Sequence, residues 1–399
     1  MTRMRRRPEP ARADDLPRER WARLRTVLLR SVTVLLAVSM LYTAVTLGPI
    51  LAAPGTDPVP ARVAEWMRSN GMGWVVTELE KVAYQATKPS EGGDVSGGIG
   101  TVAPIAVPGG DGAKPGSAKK AASASELPLP NVVPPASPAL PNEGVWQNLI
   151  LNGSGQPAAK VVTVRPDVVH TSFTASIVWM DPRRMSFTLH PGTQVPGTLV
   201  DGQYTGSTSL TSAALASTVA SFNSGFMFKD ADGGYWQDGK AVVPLVQGAA
   251  SMVFGTDGSL SVQVWHGSQP GPGVQAVRQN LSLLISNGTV SPAVHDPTTA
   301  VWGKTVGNYA FVWRTGIGVR ADGSIVFVIG PTLSIVTLTD LLQRAGAVNA
   351  MELDINKDWT SYLTYRGGSP TKLTPDEAPS GQRYLTSSTR DFVACSVRA

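Results

Sequence analysis

Short apolar runs separated by turn residues cover the C-terminal part of the chain and predict a strand-rich fold. Strands are predicted at 161–164, 173–179 and 185–189, and hairpins around Asp-Gly pairs at 252–262 and 317–328. Asp-Gly between two apolar strands is a strong hairpin signal. Helical spacing interrupts this pattern, so residues 142–399 are predicted to form one α+β domain with a few helices.

The clearest of these helices begins near residue 337. Residues 337–340 resemble an N-terminal capping box with Asp in place of Glu. Leu338, Leu341 and Leu342 form its apolar stripe, and Gly346 suits its C-terminal end. A weaker pattern predicts a second helix at 212–219.

An uncharged apolar stretch at 31–53 is long enough for a transmembrane helix, which needs roughly 20 residues. Ten arginines and four acidic residues precede it, between residues 1 and 30. Because basic residues accumulate on the cytoplasmic side, the N-terminus is predicted to be cytoplasmic and the main domain extracytoplasmic. A cleaved signal peptide is the alternative, but its apolar core would have only about 7–15 residues.

Two segments of different composition connect this stretch to the domain. Residues 54–86 have apolar residues at helical spacing and predict juxtamembrane helices. Trp66 and Trp74 would lie either at the membrane interface or in a soluble helical hairpin. Residues 87–141 are dominated by Pro, Gly, Ala and Ser, which predicts a disordered linker that holds the domain away from the membrane.

Composition and charge exclude some classes of protein. The formal net charge of the 399 residues is +5, of which residues 1–30 contribute +6, so the remainder carries −1 and gives no argument for nucleic-acid binding. An apolar content of 42% supports a real core. The single cysteine, Cys395, excludes an intrachain disulfide and is predicted to be a small apolar residue of a terminal strand.

No metal or cofactor is predicted from the sequence. The four histidines have no short paired spacing, which disfavours zinc. Residues 230–233 resemble the start of a calcium loop but lack the closing Glu, so a solvated turn is favoured over a structural cation. The sequence has no nucleophile-elbow, P-loop or dinucleotide motif.

Two carboxylates mark the end of a predicted strand at 350–355. Alternation places Met351, Leu353 and Ile355 on the buried side of this strand, and Glu352 and Asp354 on the other. Neighbouring carboxylates at a strand end fit acid/base chemistry, and a solvated strand end is the simpler alternative.

Two other segments combine glycine with polar residues. Asn223 and Gly225 lie between aromatic residues, which indicates either a bulge with close backbone approach or a simple strand end. Arg314 and Thr315 precede a strand with spaced glycines. The fork of donors on an arginine matches phosphate, and a surface ion pair is the alternative.

Taken in order, these segments resemble the phosphodiester glycosidase family. The family pattern runs Asn-Gly-Gly-Phe-Phe, then Arg-Thr-Ala-Ile-Gly before an Asp-Gly hairpin, then a Thr-Leu-x-Glu-Leu helix and Asn-Leu-Asp-Gly-Gly-Gly-Ser. This chain has corresponding segments at 223–227, 314–318, 337–341 and 352–354. The glycines after the aspartate are replaced by bulky residues at 355–359, which would close or reshape the pocket.

The resemblance implies a role for each matching residue. Catalysis would fall to Asp354, with Glu352 or Asp358 as its partner. The implied substrate contacts are Asn223, Gly225, Arg314, Thr315 and Trp359, with Trp236 as another ring for sugar stacking. A position in the core is the alternative for both tryptophans.

The predicted function is that of a membrane-anchored, extracytoplasmic hydrolase. The resemblance implies a glycosidase acting on a sugar phosphodiester of the cell envelope, because bacterial relatives are often labelled exopolysaccharide-biosynthesis proteins. The altered tail after Asp354 motivates the alternative of a glycan-binding module that has lost the reaction. A third hypothesis is an envelope-assembly partner acting through the N-terminal helices. The predicted partners are an envelope glycan or sugar phosphodiester and the membrane, with no nucleic acid.

Overall fold

The computed structural model describes residues 15–53, 55–107, 127–197, 207–267, 269–296, 301–302 and 310–398. The helices in these ranges are α1 (Asp15–Ala52), α2 (Val59–Ser69), α3 (Gly73–Ala86), α4 (Ser212–Ser217), α5 (Phe228–Ala231) and α6 (Ile335–Arg344), with a 3-10 turn at Pro292–His295.

The strands of the same ranges are short and close together in sequence. They are β1 (Ile105–Ala106), β2 (Gln147–Leu151), β3 (Pro157–Val164), β4 (Ala175–Met180), β5 (Met185–His190), β6 (Thr218–Asn223), β7 (Tyr235–Gln237), β8 (Lys240–Val243), β9 (Ala250–Gly255), β10 (Leu260–Val264), β11 (Val274–Gln279), β12 (Leu283–Ser286), β13 (Thr289–Val290), β14 (Val312–Arg320), β15 (Ile325–Leu333), β16 (Ala347–Ile355), β17 (Tyr362–Arg366), β18 (Ser369–Lys372) and β19 (Phe392–Val397).

In the described part of the chain these strands form three sheets. The large sheet has the order β1-β2-β3-β4-β15-β14-β16-β12-β13. The two smaller sheets have the orders β10-β9-β11-β7-β8 and β18-β17-β6-β19-β5. One core lies between the large sheet and the smaller sheets, and a second lies between the large sheet and α6. The predicted strand-rich α+β domain and its two Asp-Gly hairpins, β9–β10 and β14–β15, are confirmed.

Helix α6 begins two residues before the predicted capping box. Ser334 is the N-cap, because its Oγ accepts a hydrogen bond from the Thr337 amide at 3.2 Å while Thr337 Oγ1 accepts one from the Ser334 amide at 2.7 Å. Threonine therefore takes the place that Glu has in the usual box. The predicted stripe of Leu338, Leu341 and Leu342 is fully buried.

The N-terminal helices form a connected unit. Residues Trp21–Ala52 of α1 are long and apolar enough to cross a membrane. Trp66 of α2 is buried and donates to Thr46 Oγ1 at 3.0 Å, whereas Trp74 of α3 is 71% exposed. The two tryptophans therefore occupy different environments, and the helical hairpin packs against the end of α1.

The segment predicted as a linker contributes to the domain at both of its ends. Its residues 108–126 lie outside the described part of the chain. Ile105 and Ala106 form β1, which pairs in parallel with β2, and Val132 and Ala136 are buried. The described flanks therefore lie against the domain rather than extending away from it.

Candidate functional site

A β-bulge shapes the strand that carries the predicted carboxylates. Arg314 of β14 faces Ile355 of β16, but Gly316 faces Glu352, so β16 has one extra residue between these pairs. A bulge reverses the alternation of side chains beyond it. Met351 and Leu353 pack in the core between the sheets, as predicted, whereas Ile355 contacts the core beneath α6. The prediction that Ile355 shares their side is therefore wrong, because the bulge intervenes.

Asn223, Thr315 and Asp354 are joined by hydrogen bonds across three strands. Asn223 Nδ2 donates to Thr315 Oγ1 at 2.8 Å, and Thr315 Oγ1 donates to the Asp354 carbonyl at 2.7 Å. Asn223 Oδ1 also accepts from the Ser361 amide at 2.9 Å. Because Asn223 and Thr315 are almost fully buried, these contacts fix the backbone at Asp354.

Gly225 follows β6 and packs closely against Asn280, which follows β11, so a larger residue at position 225 would not fit. A Cβ at Gly225 would lie 2.9 Å from Asn280 Cγ. The Asn280 side chain has little freedom, since its Oδ1 accepts from the Phe226 amide at 3.0 Å and its Nδ2 donates to the Glu352 carbonyl at 2.9 Å. The close backbone approach predicted for Gly225 is thus present, and its partner is protein.

Arg314 and Glu352 form an ion pair with no exposed surface. Arg314 Nη1 lies 2.6 Å from Glu352 Oε1, and both side chains are completely buried. The guanidinium also donates to the carbonyl oxygens of Leu333 at 2.8 Å, Trp302 at 3.1 Å and Ala310 at 3.3 Å. Burial raises the pKa of Glu352 to about 7, and Arg314 opposes this shift. The pair is enclosed by protein, so neither group reaches a surface where a substrate could bind.

Asp354 lies within the bulge, and its carboxyl reaches a cavity. Its Oδ1 accepts from the Ile355 amide at 3.0 Å, and its Oδ2 lies 3.6 Å from Arg390 Nη1. Burial raises the pKa of Asp354 to about 7, and the charge of Glu65 adds to the increase while Arg390 opposes it. A carboxyl with this pKa exchanges protons readily near neutral pH.

Arg390 was not found from the sequence, because it belongs to none of the recognised segments. It precedes β19, is 5% exposed, and its guanidinium lies 4.3 Å from the Trp359 ring centroid. Its Nη2 donates to Glu65 Oε1 at 2.9 Å. Its Nε and Nη1 have no hydrogen-bond partner among the described residues. This arginine therefore has donors left for a ligand beside Asp354.

Glu65 reaches the same site from helix α2. Besides Arg390, it faces Lys229, whose Nζ lies 3.8 Å from Glu65 Oε2. Burial lowers the pKa of Lys229. Nothing in the helical spacing of residues 54–86 distinguishes Glu65 from a solvated residue, so its place in the site depends on how α2 packs.

A cavity of about 650 Å³ surrounds these groups. Among the residues that line it are Asp354, Trp359, Arg390, Lys229 and Glu65. Of the predicted site residues, the structure places Asn223, Gly225, Arg314, Thr315, Glu352 and Asp358 outside its lining. Trp236 lies in a separate cluster with Trp265 and Val277.

Asp358 and Trp359 lie in the bulky tail that replaces the family's glycines. The Asp358 backbone carbonyl accepts from Arg383 Nη1 at 2.8 Å, and burial raises the pKa of its carboxyl. Trp359 is 6% exposed, and its ring centroid lies 4.3 Å from the guanidinium of Arg390 and 5.2 Å from that of Arg383. The ring therefore holds the two arginines in place and leaves little surface for a sugar.

The comparisons with known proteins agree with the motifs. Residues 211–366 match the family model for phosphodiester glycosidase. No curated protein matches the chain.

Solved structures that are similar to the chain include the following three. The catalytic domain of zebrafish N-acetylglucosamine-1-phosphodiester alpha-N-acetylglucosaminidase, auto-inhibited by its pro-peptide, is 16% identical with a TM-score of 0.41, over 62% of this chain and 85% of that one. A hypothetical protein from Synechocystis is 14% identical with a TM-score of 0.36, over 63% of this chain and 64% of that one. A putative exported protein from Burkholderia pseudomallei is 14% identical with a TM-score of 0.30, over 56% of this chain and 74% of that one. The resemblance drawn from the motifs is confirmed by the family model: this chain contains a phosphodiester glycosidase-like region at residues 211–366.

Proposed function

We propose that this protein is a membrane-anchored hydrolase that cleaves the glycosidic bond of a sugar phosphodiester in the cell envelope. Helix α1 would cross the membrane with its N-terminus in the cytoplasm, because ten arginines lie before residue 31. The glycosidase-like domain would then face the envelope. The family match supports the reaction class, and the apolar helix supports the anchor.

One observation carries the proposal: the Asp354 carboxyl and the Arg390 guanidinium lie 3.6 Å apart in the lining of the cavity. A buried arginine with free donors is suited to a phosphate, which it binds through charge-assisted hydrogen bonds. We therefore assign the phosphate contact to Arg390 rather than to Arg314, whose donors are used inside the protein.

Asp354 would act as a general base. In a sugar phosphodiester the leaving group is a phosphate monoester, whose second pKa is about 6, so it departs without a strong acid. Ionised Asp354 would take a proton from a water molecule as that water attacks the anomeric carbon. The bond between this carbon and the phosphate oxygen breaks, and the monoester leaves with its electrons. One accessible carboxylate suffices, which fits the enclosure of Glu352 by Arg314.

The test is hydrolysis of the methyl phosphodiester of N-acetylglucosamine by the full-length chain in detergent. We expect release of the sugar by the wild type and a loss of at least about 100-fold in kcat for Asp354→Asn, the lower end of what one general base contributes. Arg390→Gln should raise KM, since two free donors next to the carboxyl would be lost.

Asp340→Asn is the matched control, because Asp340 is on the exposed side of α6 and pairs with Arg344. It should leave turnover unchanged. If the wild type binds the sugar diester without releasing sugar, and Asp354→Asn binds it equally well, the domain is the binding module and the hydrolase proposal fails.

A further inference from the structure

The cavity beside Asp354 has a polar end. Arg390 lines it, is almost completely buried, and has two nitrogens without a hydrogen-bond partner among the described residues. Buried donors are nearly always satisfied, so unused ones on an arginine of the cavity lining indicate an anionic ligand. Lys229 also lines the cavity, but its Nζ lies 3.8 Å from Glu65 Oε2, so Arg390 is the main anion-binding group at this end.

Much of the remaining wall is apolar and aromatic, and Arg68, Glu80, Asp230 and Lys357 also line it. It includes Phe173, Phe311 and Val312 of the domain and Ala83 and Tyr84 of helix α3. The Phe311 amide donates to the Tyr84 hydroxyl at 3.0 Å, which holds α3 against the domain and satisfies the polar atom of Tyr84. A volume of about 650 Å³ is in the usual range for ligand pockets and exceeds what a phosphate needs.

Helix α2, which contributes to the cavity lining, is hydrogen-bonded to the C-terminal end of the apolar helix α1. Arg62 of α2 donates to the carbonyl oxygens of Ile50 at 3.2 Å and Leu51 at 3.4 Å in the last turn of α1. The same helix places Glu65 in the cavity lining. Helix α3, which supplies part of the apolar wall, exposes Trp74 and Val82. If α1 crosses a membrane, these contacts hold the cavity next to the point where α1 emerges.

We infer that the cavity binds a glycosyl phosphodiester whose second ester carries a long apolar chain, that is, a lipid-linked sugar phosphate. The inference rests on the proposed function for the identity of the anionic group. Arg390 takes the phosphate, and the apolar wall takes the first part of the chain. The attachment to α1 gives a substrate embedded in the bilayer a short path to Asp354.

The experiment measures binding, so that it does not depend on turnover. The probes are methyl, hexyl and decyl methyl phosphate, which are phosphodiesters without a glycosidic bond. They are titrated calorimetrically into the full-length chain in nanodiscs, with empty nanodiscs as the reference. We expect Kd to fall by at least about tenfold from the methyl to the hexyl ester, because each buried methylene contributes up to about fourfold.

Two substitutions on α3 separate the cavity from simple partition into lipid. Ala83 lines the cavity and Ala86, one turn further on, does not. Ala83→Trp fills part of the cavity. It should reduce the ratio of the Kd of the methyl ester to that of the hexyl ester at least threefold. Ala86→Trp makes the same change outside the cavity and should leave this dependence as in the wild type.

The possible results distinguish failure of the lipid-linked substrate from failure of the proposed hydrolase. Equal chain-length dependence in Ala83→Trp and Ala86→Trp, or none in the wild type, would overturn it even if the methyl sugar diester is hydrolysed. Binding of N,N′-diacetylchitobiose together with a flat alkyl series would also overturn it, since the wall would then bind carbohydrate. Tight chain-dependent binding without hydrolysis of any sugar diester would sustain the inference and contradict the proposed hydrolase.

Discussion

Asp354 Oδ2 lies 3.6 Å from Arg390 Nη1, which joins the end of β16 in the large sheet to the segment before β19 in another sheet. The bulge in β16 and the hydrogen bond from Thr315 to the Asp354 carbonyl hold the acid in place. Trp359 and Glu65 hold the arginine. The carboxyl and the guanidinium are thus adjacent in the lining of one cavity.

The pH dependence of turnover should follow the ionisation of Asp354. Burial raises its pKa to about 7, and a general base is active only when it is ionised. We therefore expect kcat/KM to fall about tenfold per pH unit below pH 7 and to level off above it. The residual rate of Asp354→Asn should lack this limb. A rate that instead increases as the pH falls would identify a general acid.

Glu65→Gln tests whether helix α2 belongs to the site. The negative charge of Glu65 contributes to the raised pKa of Asp354, so its removal should move the acidic limb of kcat/KM to lower pH. Glu78→Gln is the matched control, because Glu78 lies on the neighbouring helix α3 and pairs with Lys81 at the surface. If both variants keep the wild-type limb and stability, Glu65 has no electrostatic influence on the acid.

The buried pair of Arg314 and Glu352 should matter for stability. Glu352→Ala leaves an unpaired charge in the interior, which typically costs about 3–5 kcal/mol. Asp340→Ala breaks an exposed pair with Arg344 and should cost less than about 1 kcal/mol. Thermal unfolding of the full-length chain in detergent measures both.

A second variant keeps this test decisive if Glu352→Ala does not fold. The double substitution Arg314→Met with Glu352→Leu removes both charges, and it should recover part of the lost stability. Wild-type stability combined with complete loss of turnover in Glu352→Ala would instead give Glu352 a catalytic role.

Local patterns in the sequence predicted the elements that depend on neighbouring residues. The hairpins follow from their Asp-Gly turns, and the apolar stripe of α6 and the strand that carries Asp354 follow from periods of 3.6 and two residues. Arg314 illustrates the limit of such patterns. An arginine before a Gly-spaced strand looks the same whether it meets phosphate or a buried carboxylate, and only burial distinguishes the two.

The site residues that the sequence did not reveal depend on distant contacts. Glu65 and Arg390 meet because α2 packs against the segment before β19. A contact between residues so far apart in the chain leaves no periodic pattern in the local sequence. The bulge between Glu352 and Ile355 is likewise a property of the pairing with β14. In contrast, the fixed backbone at Gly225 was visible as a glycine between aromatic residues.

Gly225→Ala tests whether this glycine is needed for packing. The added Cβ would lie 2.9 Å from Asn280 Cγ, and Asn280 is held by Phe226 and by the backbone of β16. We expect a loss of about 1–3 kcal/mol in unfolding free energy, as for other overpacked sites. Gly271→Ala is the matched control, since a Cβ there meets no atom within 4 Å. Its effect should be within about 1 kcal/mol of neutral, with stabilisation the expected direction.

Because Asn280 also donates to the Glu352 carbonyl, Gly225→Ala should lower turnover at temperatures where the chain is still folded. Equal unfolding temperatures for the two alanine variants would show that Asn280 can move, and that this contact does not hold the strand of Asp354 in place.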